Sequence, residues 1–174
     1  AVALVKRERI DFLLAVGGGS VVDGSKFVAA AACFEGADPW EILLHKAPIK
    51  AALPLGCVLT LPATGSESNP AAVVSRGEAK LSFMNPLVQP VFAVLDPTTT
   101  YSLPPRQVGN GVVDAFVYII EQYLTFPVGG EVQDRLAEGL LQVLVDNGPR
   151  ALAEPTNYQV RANLMWAASL ALNG

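Results

Sequence analysis

The run Phe12-Leu13-Leu14-Ala15-Val16 opens directly onto Gly17-Gly18-Gly19-Ser20, and Val21-Val22-Asp23-Gly24-Ser25-Lys26 follows at once. An apolar strand that empties into glycines and then into a helix narrows the chain to the α/β class, where such corners hold phosphate. The strand is short and apolar at every position, so it reads as buried rather than half-exposed. Val22, Phe27, Val28 and the alanines 29–32 read as a helix lying tight on a sheet. Glycines at the turn leave bare backbone N–H groups. The orphan donors of the first helical turn, together with the helix dipole, then favour an anion. A nucleotide is the first candidate ligand, with a glycine-rich turn that holds no ligand as the alternative.

Two better-known phosphate loops do not fit the letters. Gly19 and Gly24 have the spacing that opens a Walker A loop, but there Lys precedes Ser/Thr, whereas here Ser25 precedes Lys26. One residue turns a helical side chain by about 100°, so Lys26 points away from where a kinase-type loop needs it. The dinucleotide fingerprint fails as well, because Val22 stands at its third glycine position.

Composition removes other classes. Of 174 residues, 51% are hydrophobic and 16% charged, with mean hydropathy +0.37, which predicts apolar surface that meets another subunit or further chain. No uninterrupted apolar stretch is long enough to cross a bilayer. A net charge of −4 without a basic patch gives nucleic acid nothing to bind. Cys33 and Cys57 lie far apart in apolar elements and read as reduced core residues, which suits a cytoplasmic protein. No signal-peptide pattern opens the chain: Lys6, Arg7, Glu8 and Arg9 follow a brief apolar start that reads as the end of a helix.

Further along, Asp38 and Pro39 mark a helix start. Cys57-Val58-Leu59-Thr60-Leu61 is a second apolar strand, ending in the polar loop Pro62-Ala63-Thr64-Gly65-Ser66-Glu67-Ser68-Asn69-Pro70. A loop at a strand's end lies where open parallel sheets bind ligands, although a capped turn at Thr64 or Ser66 explains the same letters. Residues 72–76 and 79–83, joined by Gly77-Glu78, read as a hairpin. Residues 91–95 read as a third buried strand. From Pro104 onward, helices are predicted over 105–124, 131–150 and 158–172, with no strand between them. Asn110 reads as an N-cap that puts Asp114 in a first helical turn, where the dipole favours an aspartate. An α/β domain over 1–103 and a helical domain over 104–174 are therefore expected.

Three separated motifs carry a resemblance, in order and in register. They are Gly17 to Lys26, the stretch Cys57 to Asn69, and Leu103-Pro104-Pro105 with Gly111-Val112-Val113-Asp114-Ala115 and Glu121. The sequence resembles the iron-containing alcohol dehydrogenase family, in its NADPH-dependent aldehyde reductase and butanol dehydrogenase branch. The resemblance implies a Rossmann-like parallel-sheet nucleotide domain, incomplete here, followed by the first helices of an all-helical domain of the dehydroquinate synthase-like architecture. It also implies a NADP or NAD cofactor, with Gly18, Gly19 and Ser20 cradling the pyrophosphate and Asp23 beside the nicotinamide. Thr60, Leu61, Thr64, Ser66 and Asn69 match cofactor contacts in the polar loop, and Lys80 matches one in the hairpin. Thr98, Thr99 and Ser102 match the stretch over the adenosine and ribose.

The family also holds Fe2+ or Zn2+, with an Asp and a His four residues later on one helix and two further histidines. Asp114 matches the first ligand, which makes it the candidate catalytic and metal residue, but Tyr118 occupies the first histidine position and the sole histidine, His45, lies far upstream. A phenol ligates only as phenolate, and an ordinary tyrosine gives up its proton near pH 10. One carboxylate does not close a three- or four-ligand site. This chain alone is thus not expected to retain the metal, and both of its ends read as those of a central fragment. By resemblance the chemistry is hydride transfer between nicotinamide and an aldehyde or primary alcohol, in a homodimer. The alternatives are a non-catalytic nucleotide-binding remnant and a glycerol dehydrogenase-like polyol oxidoreductase.

Overall fold

The computed structural model describes residues 1–173. Its elements run α1 (Val2–Glu8), β1 (Leu13–Gly18), α2 (Gly19–Ala32), α3 (Glu41–Leu44), β2 (Leu55–Leu61), β3 (Ala71–Arg76), β4 (Ala79–Met84), β5 (Ala93–Val94), α4 (Pro105–Tyr123), α5 (Glu131–Ala153) and α6 (Tyr158–Asn173). The chain forms two compact units. One comprises Ala1–Val58 with Ser66–Val94, and the other Leu59–Gly65 with Leu95–Gly174. The break at residues 94 and 95 falls earlier than Leu103, and the end of β2 groups with the helices.

In the first unit a three-stranded sheet runs in the order β1-β2-β5, with β2 and β5 parallel through Cys57 opposite Ala93 and Val58 opposite Val94. The α/β class is as expected. Ala15, Val22 and Cys57 form a buried cluster against which Ala93 packs. A second cluster joins Ala30 of α2 to Ile42 and Val88. The hairpin also forms as read: β3 and β4 pair antiparallel from Ala71 opposite Met84 to Arg76 opposite Ala79. Gly77, at φ +61°, supplies the left-handed residue of its turn. Asp38 does begin a turn: its carboxylate accepts from the Trp40 backbone N–H at 2.9 Å, and α3 follows.

Three expectations fail here. β1 is not buried on both faces: Leu14 is 55% and Val16 57% exposed, while the alternating Ala15 and Gly17 are buried. β1 lies at one end of the sheet order and packs against α2, so Leu14 and Val16, which alternate with Ala15 and Gly17, face away from that helix. Residues 91–95 are not a buried strand either. The strand is only Ala93 and Val94, at the other end of the sheet order; the Val91 N–H and the Phe92 carbonyl also bond to β2, but Val91, Phe92 and Val94 are exposed. Cys33 is half-buried rather than a core residue, although both cysteines are free.

In the second unit α4, α5 and α6 pack on one another around Val108, Ala115, Ile119, Leu144, Ala151, Val160 and Leu164. α4 begins at Pro105, because proline lacks the N–H that a first helical position leaves unbonded. Asn110 is therefore inside the helix rather than its cap, and Asp114 stands at mid-helix, away from the favourable end of the dipole. Gly111 is required where it is: a Cβ there would sit 2.5 Å from the Pro62 carbonyl oxygen. α5 runs through Pro149, and the buried Arg161 guanidinium donates to the carbonyls of Pro155 (3.0 Å) and Ala151 (3.5 Å), serving the end of that helix. Desolvation lowers the pKa of this guanidinium. Among the described residues no helix is long and apolar enough to cross a membrane.

Candidate functional site

The glycine corner is open. β1 ends at Gly18, which is extended (φ −88°, ψ −171°) and is the N-cap of α2, and no side chain caps the helix. Gly18 and Gly19 are part-exposed and Ser20 is exposed. The first turn of this 14-residue helix thus starts among part-exposed and exposed residues, with no side-chain cap hydrogen bond at its N-terminus. Gly17 is buried and has no room for a side chain, since a Cβ would lie 2.6 Å from Val21 Cγ2 and 2.7 Å from Val21 Cβ. That close approach keeps β1 and the first turn of α2 tight.

Behind the corner lies a residue that sequence reasoning left aside. Lys26, on the fully buried face of α2, donates from Nζ to the Ser66 carbonyl (2.6 Å), Ser66 Oγ (2.7 Å), the Asn69 carbonyl (2.8 Å), the Ala71 carbonyl (2.6 Å) and, more weakly, Asn69 Oδ1 (3.4 Å). Ser66 Oγ donates to Asp23 Oδ1 at 2.5 Å, and Asp23 Oδ2 accepts the Val73 backbone N–H at 2.9 Å. Asn69 Oδ1 accepts the Ala71 N–H at 2.9 Å. Burial pushes the Lys26 ammonium down to about 8, against the opposing pull of Asp23, Cys57 and Glu67. Burial likewise pushes the Cys57 thiol up to about 11, with Glu67 adding to the rise.

The loop residues named from the sequence are therefore not equivalent. Ser66 is buried and Asn69 part-buried, both within reach of Lys26, while Thr60, Leu61 and Thr64 are part-exposed in the other unit. Lys80 is exposed on β4. The stretch at Thr98 is a capped turn, with Asp96 as N-cap accepting from the Thr98 N–H (2.9 Å) and Thr98 Oγ1 (2.8 Å). These bonds hold the Asp96 carboxyl below the usual carboxylate range. Thr99 Oγ1 donates to the Leu59 carbonyl at 2.7 Å, which ties the turn to the end of β2, and Ser102 is exposed.

Asp114 and Tyr118 stand one helical turn apart on α4, both part-buried. Among the described residues no group of three or more His, Cys, Asp or Glu side chains could hold a metal ion. One carboxylate and one phenol make a poor donor set for Fe2+ or Zn2+, so the described residues do not fit the implied metal.

The order of an open glycine corner, a parallel sheet and a helical unit is matched by known proteins along the whole chain. Residues 1–97 match the iron-containing alcohol dehydrogenase model, and residues 109–174 match the C-terminal model of the same family. The chain belongs to the iron-containing alcohol dehydrogenase family. It is 63% identical to the NADPH-dependent aldehyde reductase YqhD of Escherichia coli, over 100% of this chain and 46% of that protein. It is 42% identical to a probable NADH-dependent butanol dehydrogenase of Bacillus subtilis, over 99% of this chain and 45% of the relative. The crystal structure of YqhD from E. coli K-12 superposes with a TM-score of 0.96 at 62% identity, covering 99% of this chain and 45% of that one. The chain thus spans less than half the length of the curated relatives it matches.

Proposed function

We propose that the protein interconverts aldehydes and primary alcohols by hydride transfer with a nicotinamide dinucleotide, and that this chain supplies the surface for the cofactor diphosphate. The observation that carries the reading is the uncapped first turn of α2, entered through extended Gly18. The names of the relatives, an NADPH-dependent aldehyde reductase and an NADH-dependent butanol dehydrogenase, support the reaction class. The higher identity to the NADPH-dependent relative supports NADP over NAD.

In this reading the backbone N–H groups at Gly18, Gly19 and Ser20 take the diphosphate, and Asp23 lies toward the nicotinamide. By likeness to the family, Thr60, Leu61, Thr64, Ser66, Asn69 and Lys80 also belong to the cofactor set, with Thr98, Thr99 and Ser102 on the adenosine side. The dinucleotide, when bound, supplies the hydride. The chain's own work is to hold it by its phosphates and to orient the ring. Asp114 matches the metal position of the family, but no step runs through a metal, because the described residues of this chain do not form a donor set. The domain reading is also proposed: a nucleotide-binding part followed by a helical part. A homodimer in the cytoplasm belongs to the same proposal, supported by two free cysteines and by exposed apolar side chains such as Phe126 and Val128.

Titration of the intact gene product with NADPH and NADH, followed by their fluorescence, tests the cofactor. Oxidation of NADPH at 340 nm with butyraldehyde tests the reaction. Saturable binding that Gly18→Val abolishes is the expected result. Binding that is absent, or that survives Gly18→Val, would overturn the placement of the diphosphate.

A further inference from the structure

We propose that Lys26 is a positioning residue for the cofactor: its buried ammonium gathers the loop at residues 66–71 onto α2 and so sets the geometry of the nucleotide-facing residues on both. The inference rests on the reading of the site given above, but the tie itself is independent of it. Lys26 Nζ has three N–H donors, and five oxygens lie within 3.4 Å of it, three of them backbone carbonyls from Ser66, Asn69 and Ala71. Three carbonyls that converge on one point have no other reason to do so. Backbone dipoles aimed at each other repel, and a cation between them reverses the sign.

The same cation sits one helical turn from Asp23 on α2. Ser66 Oγ accepts from Lys26 and donates to Asp23, so a single hydroxyl links ammonium to carboxylate. Asp23 in turn receives the Val73 N–H from β3. Helix, 3-10 turn at Ser66–Ser68 and hairpin are thereby fixed against one another by a chain of charge-assisted bonds that starts at one nitrogen. Asp23 and Asn69, both assigned to the cofactor, take their orientation from this network. Lys26 itself is fully buried and is not a cofactor contact.

The test replaces Lys26 by Met, which keeps the length and loses the charge, and by Gln, which keeps two N–H donors. Both are made in the intact gene product, with thermal unfolding measured alongside. Dissociation constants for NADPH and NADH, hydrogen exchange of the backbone amides at 66–73, and the split of kcat from KM are read for each. The expected result is a loss of nucleotide affinity of about tenfold in Lys26→Met, less in Lys26→Gln, with kcat at saturating cofactor nearly kept. Faster exchange is expected at 66–73, with α5 and α6 unchanged. Affinity within twofold of the parent in a folded variant, or unchanged exchange at 66–73, overturns the proposal. If Lys26→Met does not fold, Lys26→Gln is judged by the same criteria. Should the parent bind neither nucleotide, the functional reading fails, and exchange at 66–73 still decides whether Lys26 holds the loop.

Discussion

Replacing Gly17 by alanine tests whether the glycine corner is shaped by sterics. The new Cβ would stand 2.6, 2.7 and 3.1 Å from Cγ2, Cβ and Cγ1 of Val21. Carbon atoms settle at about 3.5–4.0 Å, so the overlap is close to an ångström at two of the three. Val21 cannot swing clear, because its Cβ is fixed to the backbone and its branched side chain is stiff at χ1. The first turn of α2 must move away from β1 instead. Overpacking of this kind costs about 1–3 kcal/mol. For a chain of this size each kcal/mol lowers the melting temperature by about 2–4 °C. Gly24 is the internal control, since it lies within α2 and a Cβ there meets nothing within 4 Å. Gly24→Ala should therefore gain about 0.5–1 kcal/mol from helix propensity alone. Thermal unfolding followed by far-UV circular dichroism compares the three proteins, and NADPH titration follows the open turn. The reasoning is refuted if Gly17→Ala melts at or above the parent temperature while Gly24→Ala shows its gain.

Four further outcomes are expected from the packing, the ionisation of two buried groups and the donor set. Gly111→Ala places a Cβ 2.5 Å from the Pro62 carbonyl oxygen and should destabilise by about 1–3 kcal/mol in urea unfolding; no loss would mean that α4 can retreat freely. Lys26 ionises near 8 in the folded chain against 10.5 when unfolded, so the unfolded state binds more protons between those values and stability from this group rises with pH across that window. Cys57 has the opposite sign: its thiol is raised from 9.0 to about 11, so the folded state holds the extra proton and stability falls between pH 9 and 11. Urea midpoints from pH 7 to 11 should lose the rise in Lys26→Met and the fall in Cys57→Ala, and parallel curves for all three would contradict both assignments. Finally, zinc titration by calorimetry of this chain and its Asp114→Asn variant should give indistinguishable isotherms, and a stoichiometric tight site lost in Asp114→Asn would show that the donor set is sufficient after all.

The local grammar of the chain was readable where neighbours in sequence decide the outcome. The strand-glycine-helix corner, the hairpin around Gly77 and the three closing helices all depend on short-range signals, and they formed within a few residues of the boundaries read. Burial was misjudged where composition conceals direction. Leu14 and Val16 are as apolar as Ala15, and only the position of β1 in the sheet order decides which side is covered. Asn110 misled because its cap signal competed with the stronger start at Pro105. Lys26 was invisible as a hub, since its partners lie 40 to 45 residues ahead and three of them are main-chain oxygens, which leave no mark in the residue letters.

Gly65 adopts φ +63°, and its carbonyl accepts from Asn173 Nδ2 at 3.0 Å, which also donates to the Ser169 carbonyl at 2.7 Å. The bend beside Thr64 is thus clasped by a residue 108 positions later. During synthesis on the ribosome, that clasp is delayed until α6 has left the exit tunnel, whatever the glycine corner has already achieved. The bend at Gly65 is thus completed only after α6 has been made, and a nascent chain stalled before Asn173 would carry it without its closing bond.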